Sequence, residues 1–257
     1  MQLGISTSCY YPRTTEESLR ILLDAGVKTL EVFFNSHSEL EPEYLLQLRA
    51  MANEAGAKIV SVHPYTSGME GILFFSDYDR RFADSREYYK RYYQAANILG
   101  ARIVVFHGGY KHQVMAVEEY AHRIDILDTD ARKAGVCLAQ ENVERNMSRS
   151  PGFLRQLYQL RPQQRFVFDL KQAIRAEQDP LEVLEAMGGG VVHLHLSDHL
   201  PGHDCLPPGM GETDFAPLFA QAAAQGFAGS AVIELYRKNF EDQHQLDKGL
   251  EYLKSVL

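Results

Sequence analysis

Short apolar runs alternate with longer segments of helical period along the whole chain. Eight runs of strand length, at 3–7, 29–33, 58–63, 102–107, 136–141, 165–169, 191–195 and 231–235, are mostly rich in Val, Ile, Leu and Phe. That is the composition of strands covered on both faces by helices. In the first helical segment Leu19, Leu22, Leu23 and Gly26 fall at i, i+3, i+4 and i+7, and Thr14 or Thr15 stands where a cap is needed, reinforced by Glu16 and Glu17. The pattern returns at 42–56, 79–100, 117–135, 150–160, 180–188, 214–226 and 243–257. Five helix ends, in DAGVKTLEV, EAGAKIVSV, ILGARIVVF, KAGVCLAQE and AQGFAGSAVIE, put glycine just ahead of a strand, where a left-handed terminator is wanted.

Eight such units in 257 residues leave about 32 residues for each, the size of a βα repeat. The expectation is an α/β chain folded as a single (β/α)8 TIM barrel over residues 1–257. An open dinucleotide-binding sheet is disfavoured, because GISTSCYY at the first strand carries no GxGxxG. No linker or low-complexity stretch divides the chain.

Composition narrows the partners. With 45% hydrophobic and 23% charged residues the chain has ample core material, and disorder is excluded. Apolar runs such as 103–106 are far too short to span a bilayer, and MQLGISTSCYYPR lacks the basic flank and apolar stretch of a secretory signal. A cytoplasmic protein with no membrane partner is expected. Cys9, Cys137 and Cys205 are widely spaced and odd in number, so free thiols are expected. Lys plus Arg total 26 against 34 Asp plus Glu, a formal charge of −8, which makes nucleic acid a poor partner.

The strand ends carry the candidate chemistry. Active sites of such barrels lie at the C-terminal ends of the strands, and seven runs in succession carry an acid or a histidine at or near that end: Glu31, His63, His107, Glu141, Asp169, His195 and Glu234. Carboxylates crowded into one barrel mouth repel and are desolvated unless a cation neutralises them. Glu141, Asp169, His195 and Glu234, from adjacent strands, offer three carboxylates and one imidazole. That set suits one divalent ion, Mn²⁺, Mg²⁺ or Co²⁺, with Zn²⁺ also acceptable.

The segments AQENV, VFDLKQA, VHLHLSD, LPPGMGETDF and VIELY resemble, in order and spacing, motifs of the xylose-isomerase-like barrel superfamily, which holds sugar isomerases and epimerases and the type IV apurinic endonucleases. The resemblance implies that Glu141, Asp169, His195 and Glu234 bind one metal. It further implies that Glu141 and Glu234 are the acid/base pair of a metal-dependent sugar isomerase or epimerase. Such an enzyme moves a proton beside a carbonyl through a metal-stabilised enediolate. Asp198, three residues after His195, would support the following loop. The substrate is then a small sugar or sugar derivative, and a homo-oligomer is compatible with the pattern.

The same resemblance carries a rival. Type IV apurinic endonucleases, zinc phosphodiesterases with three ions, match at His63, His107, Glu141, Asp169, His195 and Glu234. Here, however, Gln172 stands in place of a histidine, and His203-Asp204-Cys205 in place of Asp-x-His. A barrel that binds sugar without chemistry is a third reading. Around the metal set, His63 and His107 are read as substrate contacts or the remnant of a second metal site. Lys171 and Gln172 are read as substrate-facing, with Lys171 alternatively neutralising a carboxylate. His203 is a further substrate or zinc contact, and Arg237 binds a carboxylate or phosphate or forms a surface ion pair. Glu31 would orient a ligand from behind, His193 one step deeper would pack, and Tyr and Phe residues near the rim would face a sugar ring.

Overall fold

The computed structural model describes residues 1–257. Barrel strands β1 (Gln2–Ser6), β2 (Thr29–Phe33), β3 (Lys58–His63), β4 (Ile103–Phe106), β5 (Cys137–Glu141), β6 (Arg165–Asp169) and β7 (Val191–Leu196) are followed by a hairpin, β8 (Asp198–Leu200) and β9 (His203–Leu206). The last barrel strand is β10 (Ser230–Ile233). The barrel closes in the order β1-β10-β7-β6-β5-β4-β3-β2, and every pair of neighbours is parallel. Helices α1 (Thr15–Asp24), α2 (Pro42–Glu54), α3 (Glu70–Phe74), α4 (Asp79–Leu99), α5 (Val117–Lys133), α6 (Pro151–Leu160), α7 (Leu170–Arg175), α8 (Pro180–Met187), α9 (Phe215–Ala224) and α10 (Gln243–Ser255) connect the strands and end the chain. This is the expected single (β/α)8 barrel. No helix is long and apolar enough to cross a membrane.

Local chemistry places the elements. Thr14 caps α1 in a reciprocal box, its Oγ1 accepting from Glu17 N at 3.3 Å while Glu17 Oε2 accepts from Thr14 N at 3.3 Å. The five glycines expected to stop helices, Gly26, Gly56, Gly100, Gly135 and Gly226, all have φ between 63° and 83°. Apolar side chains on the outer faces of the strands meet the helices in one large core that contains Leu19, Leu22, Leu48, Phe106, Leu157 and Leu246. Inside the barrel Ile103, Val105, Ala139 and Val167 form a small separate apolar cluster. Two residues on from the last member of each strand's contribution come His107, Glu141 and Asp169, so period-two alternation aims all three inward, above that floor.

Three connections depart from the simple alternation. The segment after β3 contains α3, and the segment after β6 contains α7, starting directly at Asp169. The segment after β7, expected as an irregular loop, forms the β8–β9 hairpin. Asp198 holds this region together: Oδ1 accepts from His199 N and Thr213 N, and Oδ2 from Gly209 N and Gly211 N, at 2.8 to 3.0 Å. Gly211 is required there, since a β-carbon would lie 2.4 Å from Asp198 Oδ1. The strand ends also shift slightly: His107 and Glu234 lie one residue beyond β4 and β10, and β7 runs one residue past His195.

Candidate active site

Glu141, Asp169, His195 and Glu234 are brought together at the C-terminal end of the barrel, each presenting one donor atom within 4.8 Å of the others. Register sets their heights, with Asp169 paired directly with His195 and Val232 with His195 on the other side. Beyond β5 the sheet is extended by a side chain: Asn142 Nδ2 donates to Asp169 O at 2.8 Å, and Asp169 N donates to Asn142 Oδ1 at 2.7 Å. Asp169 also caps α7 through Oδ1, which accepts from Gln172 N at 2.9 Å. That bond fixes the carboxylate and leaves Oδ2 facing the cluster.

His195 is held from behind. Its Nε2 lies 3.1 Å from Glu31 Oε2, and its Nδ1 faces Glu141 Oε1 at 3.3 Å, Glu234 Oε2 at 3.6 Å and Asp169 Oδ2 at 3.8 Å. Donor atoms that share an ion at about 2.1 Å stand roughly 3 Å apart or somewhat more, so these separations suit one metal. Two further observations favour a cation. Glu141 Oε2 and Asp169 Oδ2 are buried carboxylate oxygens that make no well-aligned hydrogen bond; their polar neighbours, His107 Nε2 at 2.8 Å and Lys171 Nζ at 3.3 Å, leave room for a further positive charge, which burial favours. The three carboxylates and Lys171 sum to −2, and Glu31 behind His195 adds a further negative charge, so the centre carries an excess of negative charge that a dication offsets. The residues present therefore fit a divalent ion.

Glu31 belongs to a polar column on one side of the barrel interior. Ser61 Oγ donates to its Oε2 at 2.7 Å, and His193 Nε2 lies 3.4 Å away. His193 Nδ1 contacts Ser230 Oγ at 2.9 Å, so this histidine does more than fill space. Burial opposes the Glu31 charge, but the imidazoles of His195 and His193 hold its carboxyl well below the usual range. Burial likewise opposes the charge of Glu234, and Lys171 together with His195 keeps it low. For Asp169 burial wins and its carboxyl is pushed up.

Lys171 is buried, with Nζ 2.9 Å from Glu234 Oε2 and 3.3 Å from Asp169 Oδ2. The position is that of a neutralising group for the two carboxylates, one of its two expected roles. His63 and His107 form a second cluster: their Nε2 atoms are 3.0 Å apart, and Glu141 Oε2 is 2.8 Å from His107 and 3.9 Å from His63. Burial and the neighbouring His107 push the His63 imidazole down to about 4, so its ring is neutral at pH 7. His107 is set by its backbone. Glu70 on α3 accepts from His107 N and Gly108 N at 2.5 and 2.7 Å, and Asn146 Nδ2 donates to His107 O at 2.7 Å. Gly108 has φ 79°, and a β-carbon on it would collide with Tyr120 Oη at 1.9 Å.

These groups open into a cleft of about 610 Å³, lined at its base by His63, His107, Glu141, Lys171 and Glu234. That volume is ordinary for a small-molecule site. Of the nine rim aromatics expected to face a ligand, Tyr11, Phe33, Tyr65 and Tyr236 do line it, whereas Tyr10, Phe34, Phe74 and Phe75 are core and Tyr110, outside the lining, donates to Gly68 O. Gln172 lines the cleft too, with its Oε1 taken by Glu144 N at 3.0 Å.

Two expected contacts are corrected. His203 sits exposed on β9 and borders a separate depression rather than the cleft, because the hairpin turns its edge outward. Arg237 spends its guanidinium on Phe240 O and Glu241 O, at 2.6 and 2.9 Å, and lies over the Phe240 ring. It closes its own loop and does not line the cleft. Arg145 and Arg175, missed in the sequence, do line it. Arg175 is four residues after Lys171, a helical spacing that carried no signal while α7 went unrecognised. Arg145 is four residues after Glu141 in a segment with no regular period.

Comparison with known proteins agrees with the architecture. An uncharacterized protein of Mycobacterium leprae is 23% identical over an alignment covering 100% of this chain and 98% of that protein. Among solved structures, a D-tagatose 3-epimerase-like protein superposes with a TM-score of 0.79 at 20% identity, covering 100% of this chain and 97% of that one. A 3-keto-D-glucoside 4-epimerase from E. coli gives 0.78 at 17% identity, covering 99% of each. At such identities these likenesses establish the fold. A family described as xylose isomerase-like TIM barrel matches residues 19–256, and the chain belongs to that family.

Proposed function

We propose that the protein is a divalent-metal-dependent isomerase or epimerase of a small sugar or sugar derivative, acting by proton transfer beside a carbonyl. The observation that carries this reading is the donor set itself: three carboxylates and His195 Nδ1 around one point, with His195 braced by Glu31, at the base of a cleft of about 610 Å³. A D-tagatose 3-epimerase-like protein, a 3-keto-D-glucoside 4-epimerase and an L-ribulose 3-epimerase share the fold and support the substrate class. Mn²⁺, Mg²⁺ or Co²⁺ suits the oxygen-rich set, and Zn²⁺ is acceptable.

Glu141, Asp169, His195 and Glu234 would hold the ion. When bound, it supplies the positive charge that makes a hydrogen beside a carbonyl acidic enough for a carboxylate to remove. Glu141 and Glu234, from β5 and the end of β10, then serve as base and acid. Lys171, 2.9 Å from Glu234, keeps that carboxylate ionised and ready to accept a proton. His107, 2.8 Å from Glu141 Oε2, can pass a proton to Glu141, which then holds the proton that is returned while Glu234 takes up the one removed, and it offers a hydrogen-bond contact to a substrate hydroxyl. Removal by one carboxylate and return from the other inverts a carbon or shifts a carbonyl, according to the position of the substrate between them.

The phosphodiesterase alternative draws support from the His63–His107–Glu141 cluster, which has donors for another ion. It is weakened at the positions a third ion would need. Gln172 is an amide bound to Glu144 N, His203 faces outward, Asp204 is paired with Arg175, and Cys205 Sγ is turned to Glu234 O at 3.7 Å.

The test is metal analysis of the purified protein, then incubation with a panel of ketoses and aldoses in D₂O followed by NMR. Carbon-bound deuterium is expected in at least one sugar, abolished by chelation and restored by Mn²⁺. Glu141→Gln and Glu234→Gln should each remove it. A protein that neither retains nor takes up metal and exchanges no sugar refutes the proposal, and full exchange in both variants refutes the acid/base assignment. Tight sugar binding without exchange would identify a non-catalytic binding barrel.

A further inference from the structure

The charges around the cleft balance at every level except one. At the base, Glu141, Asp169 and Glu234 face Lys171 and the metal position. At the mouth, Glu144 is paired with Lys111, 2.5 Å away, and Asp204 with Arg175. Arg145 also lines the cleft; it is exposed to solvent at the mouth, and its guanidinium has no carboxylate partner and donates no hydrogen bond within the protein.

Its position is nonetheless built. Arg145 O accepts from Lys111 N at 2.9 Å, and the preceding residue is tied to α7 by the Glu144 N to Gln172 Oε1 bond. The backbone is therefore clamped between the segments after β4 and β6. The side chain lies across Gly68, close enough that a β-carbon there would stand 3.1 Å from Nη2. Gly68 is itself fixed, its carbonyl accepting from Tyr110 Oη at 2.8 Å. Across the cleft Arg175 donates to Tyr236 Oη at 2.8 Å and stacks over that ring, with Lys171 also facing it.

We infer that the substrate carries an oxyanion, a carboxylate or phosphate, at the end remote from its reacting carbons, and that Arg145 recognises it. The inference rests on the proposed sugar chemistry and adds the substrate's charge. A guanidinium presents a planar fork of donors matched to a carboxylate or phosphate. Covered by a neutral sugar, Arg145 would lose water without gaining an acceptor of opposite charge. Covered by an oxyanion it completes the neutralisation already achieved elsewhere in the cleft. Arg175, across the same cleft, adds positive potential while remaining paired with Asp204.

Three ligands that differ only at C6 test this: D-fructose, D-fructuronate and D-fructose 6-phosphate. Their affinity for the Mn²⁺-loaded full-length protein is measured by calorimetry, and deuterium incorporation is followed in parallel. A charge-assisted guanidinium contact predicts that one anionic ligand binds at least about tenfold more tightly than D-fructose. Whether fructuronate or the phosphate wins identifies the oxyanion. R145A should bring the anionic ligand to within about twofold of D-fructose, and R145K should recover part of the difference. Equal affinity for all three ligands, or a ratio unchanged in R145A, overturns the inference. An Arg145-dependent preference without deuterium in any of the three ligands sustains the oxyanion subsite, and the isomerase reading falls with it only if the full ketose and aldose panel also takes up no deuterium. Deuterium exchange with no anionic preference does the reverse.

Discussion

Glu31→Gln isolates the bracing of the proposed metal ligand His195 from the proposed ligand set itself. Glu31 is fully buried, and its Oε2 receives Ser61 Oγ at 2.7 Å and His195 Nε2 at 3.1 Å. A carboxylate there keeps the proton on Nε2 and the lone pair of Nδ1 directed at the three acidic side chains. Glutamine has the same shape but no charge. It accepts more weakly from His195, and it must turn its amide nitrogen either toward Ser61 and His193 or into the space beside Oε1, which has no partner. Loss of such a carboxylate–histidine brace costs metal affinity roughly 10- to 100-fold, or about 1.4–2.7 kcal/mol. Stability without metal should change little, because removing a buried charge offsets a weakened hydrogen bond. The expected signature is therefore a metal-induced rise in Tm that shrinks at fixed Mn²⁺ while the metal-free Tm stays nearly constant. Titration of Mn²⁺ by electron paramagnetic resonance gives Kd directly. A Kd within twofold of wild type, in a preparation where Glu234→Gln no longer binds, would falsify the bracing argument. Should Glu31→Gln fail to fold, Ser61→Ala removes the 2.7 Å bond to the same oxygen and should weaken Mn²⁺ in the same direction by a smaller factor.

Two other outcomes follow from the packing. Asp198→Ala strips acceptors from four backbone amides, those of His199, Gly209, Gly211 and Thr213, and should lower unfolding free energy by about 3 kcal/mol, read from the urea midpoint. An unchanged midpoint would mean that the loop is held by something else. Burial pushes the thiols of Cys137 and Cys205 up to about 11, so at pH 8 about one in a thousand is ionised and the folded protein should react with a disulfide reagent roughly two orders of magnitude more slowly than the unfolded chain. A folded pKa above the unfolded one means that their contribution to stability is complete below about pH 9 and is lost as pH rises toward 11. Rapid labelling of all three cysteines at pH 8 under native conditions would contradict this burial.

The periodic elements were legible because each obeys a local rule. Thr14 with Glu17, the glycines ending α1, α2, α4, α5 and α9, and the Val- and Ile-rich runs need no distant partner to declare themselves. The short helix α7 was not, since its start is created by Asp169 turning from the end of β6 into a cap. That missed helix hid Arg175. The hairpin after β7 was hidden for a related reason: its strands are three and four residues long, and its order comes from Asp198 gathering amides up to fifteen residues away in sequence. Arg237 misled in the opposite direction, because a basic residue three past Glu234 reads as reaching the mouth, while the local loop carbonyls of Phe240 and Glu241 claim it first.

The barrel interior explains why a row of acids and histidines becomes one centre. Beneath the strand ends, β4, β5 and β6 contribute Ile103, Val105, Ala139 and Val167, a dry floor. On the other side, β2, β3, β7 and β10 contribute Glu31, Ser61, His193 and Ser230, a hydrogen-bonded column. Glu141 and Asp169 stand above the apolar half, where an uncompensated carboxylate is costly, and each has one oxygen that makes no well-aligned hydrogen bond. His195 stands above the polar half, where Glu31 can fix its ring. The asymmetry gives each proposed ligand what its chemistry would require: desolvation would strengthen the attraction of the acids for a cation, and the column supplies direction to the imidazole, whose lone pair is useless unless aimed. Filling the column with apolar residues would keep the barrel packed and lose that aim. A polar floor would hydrate the carboxylates and weaken their demand for metal.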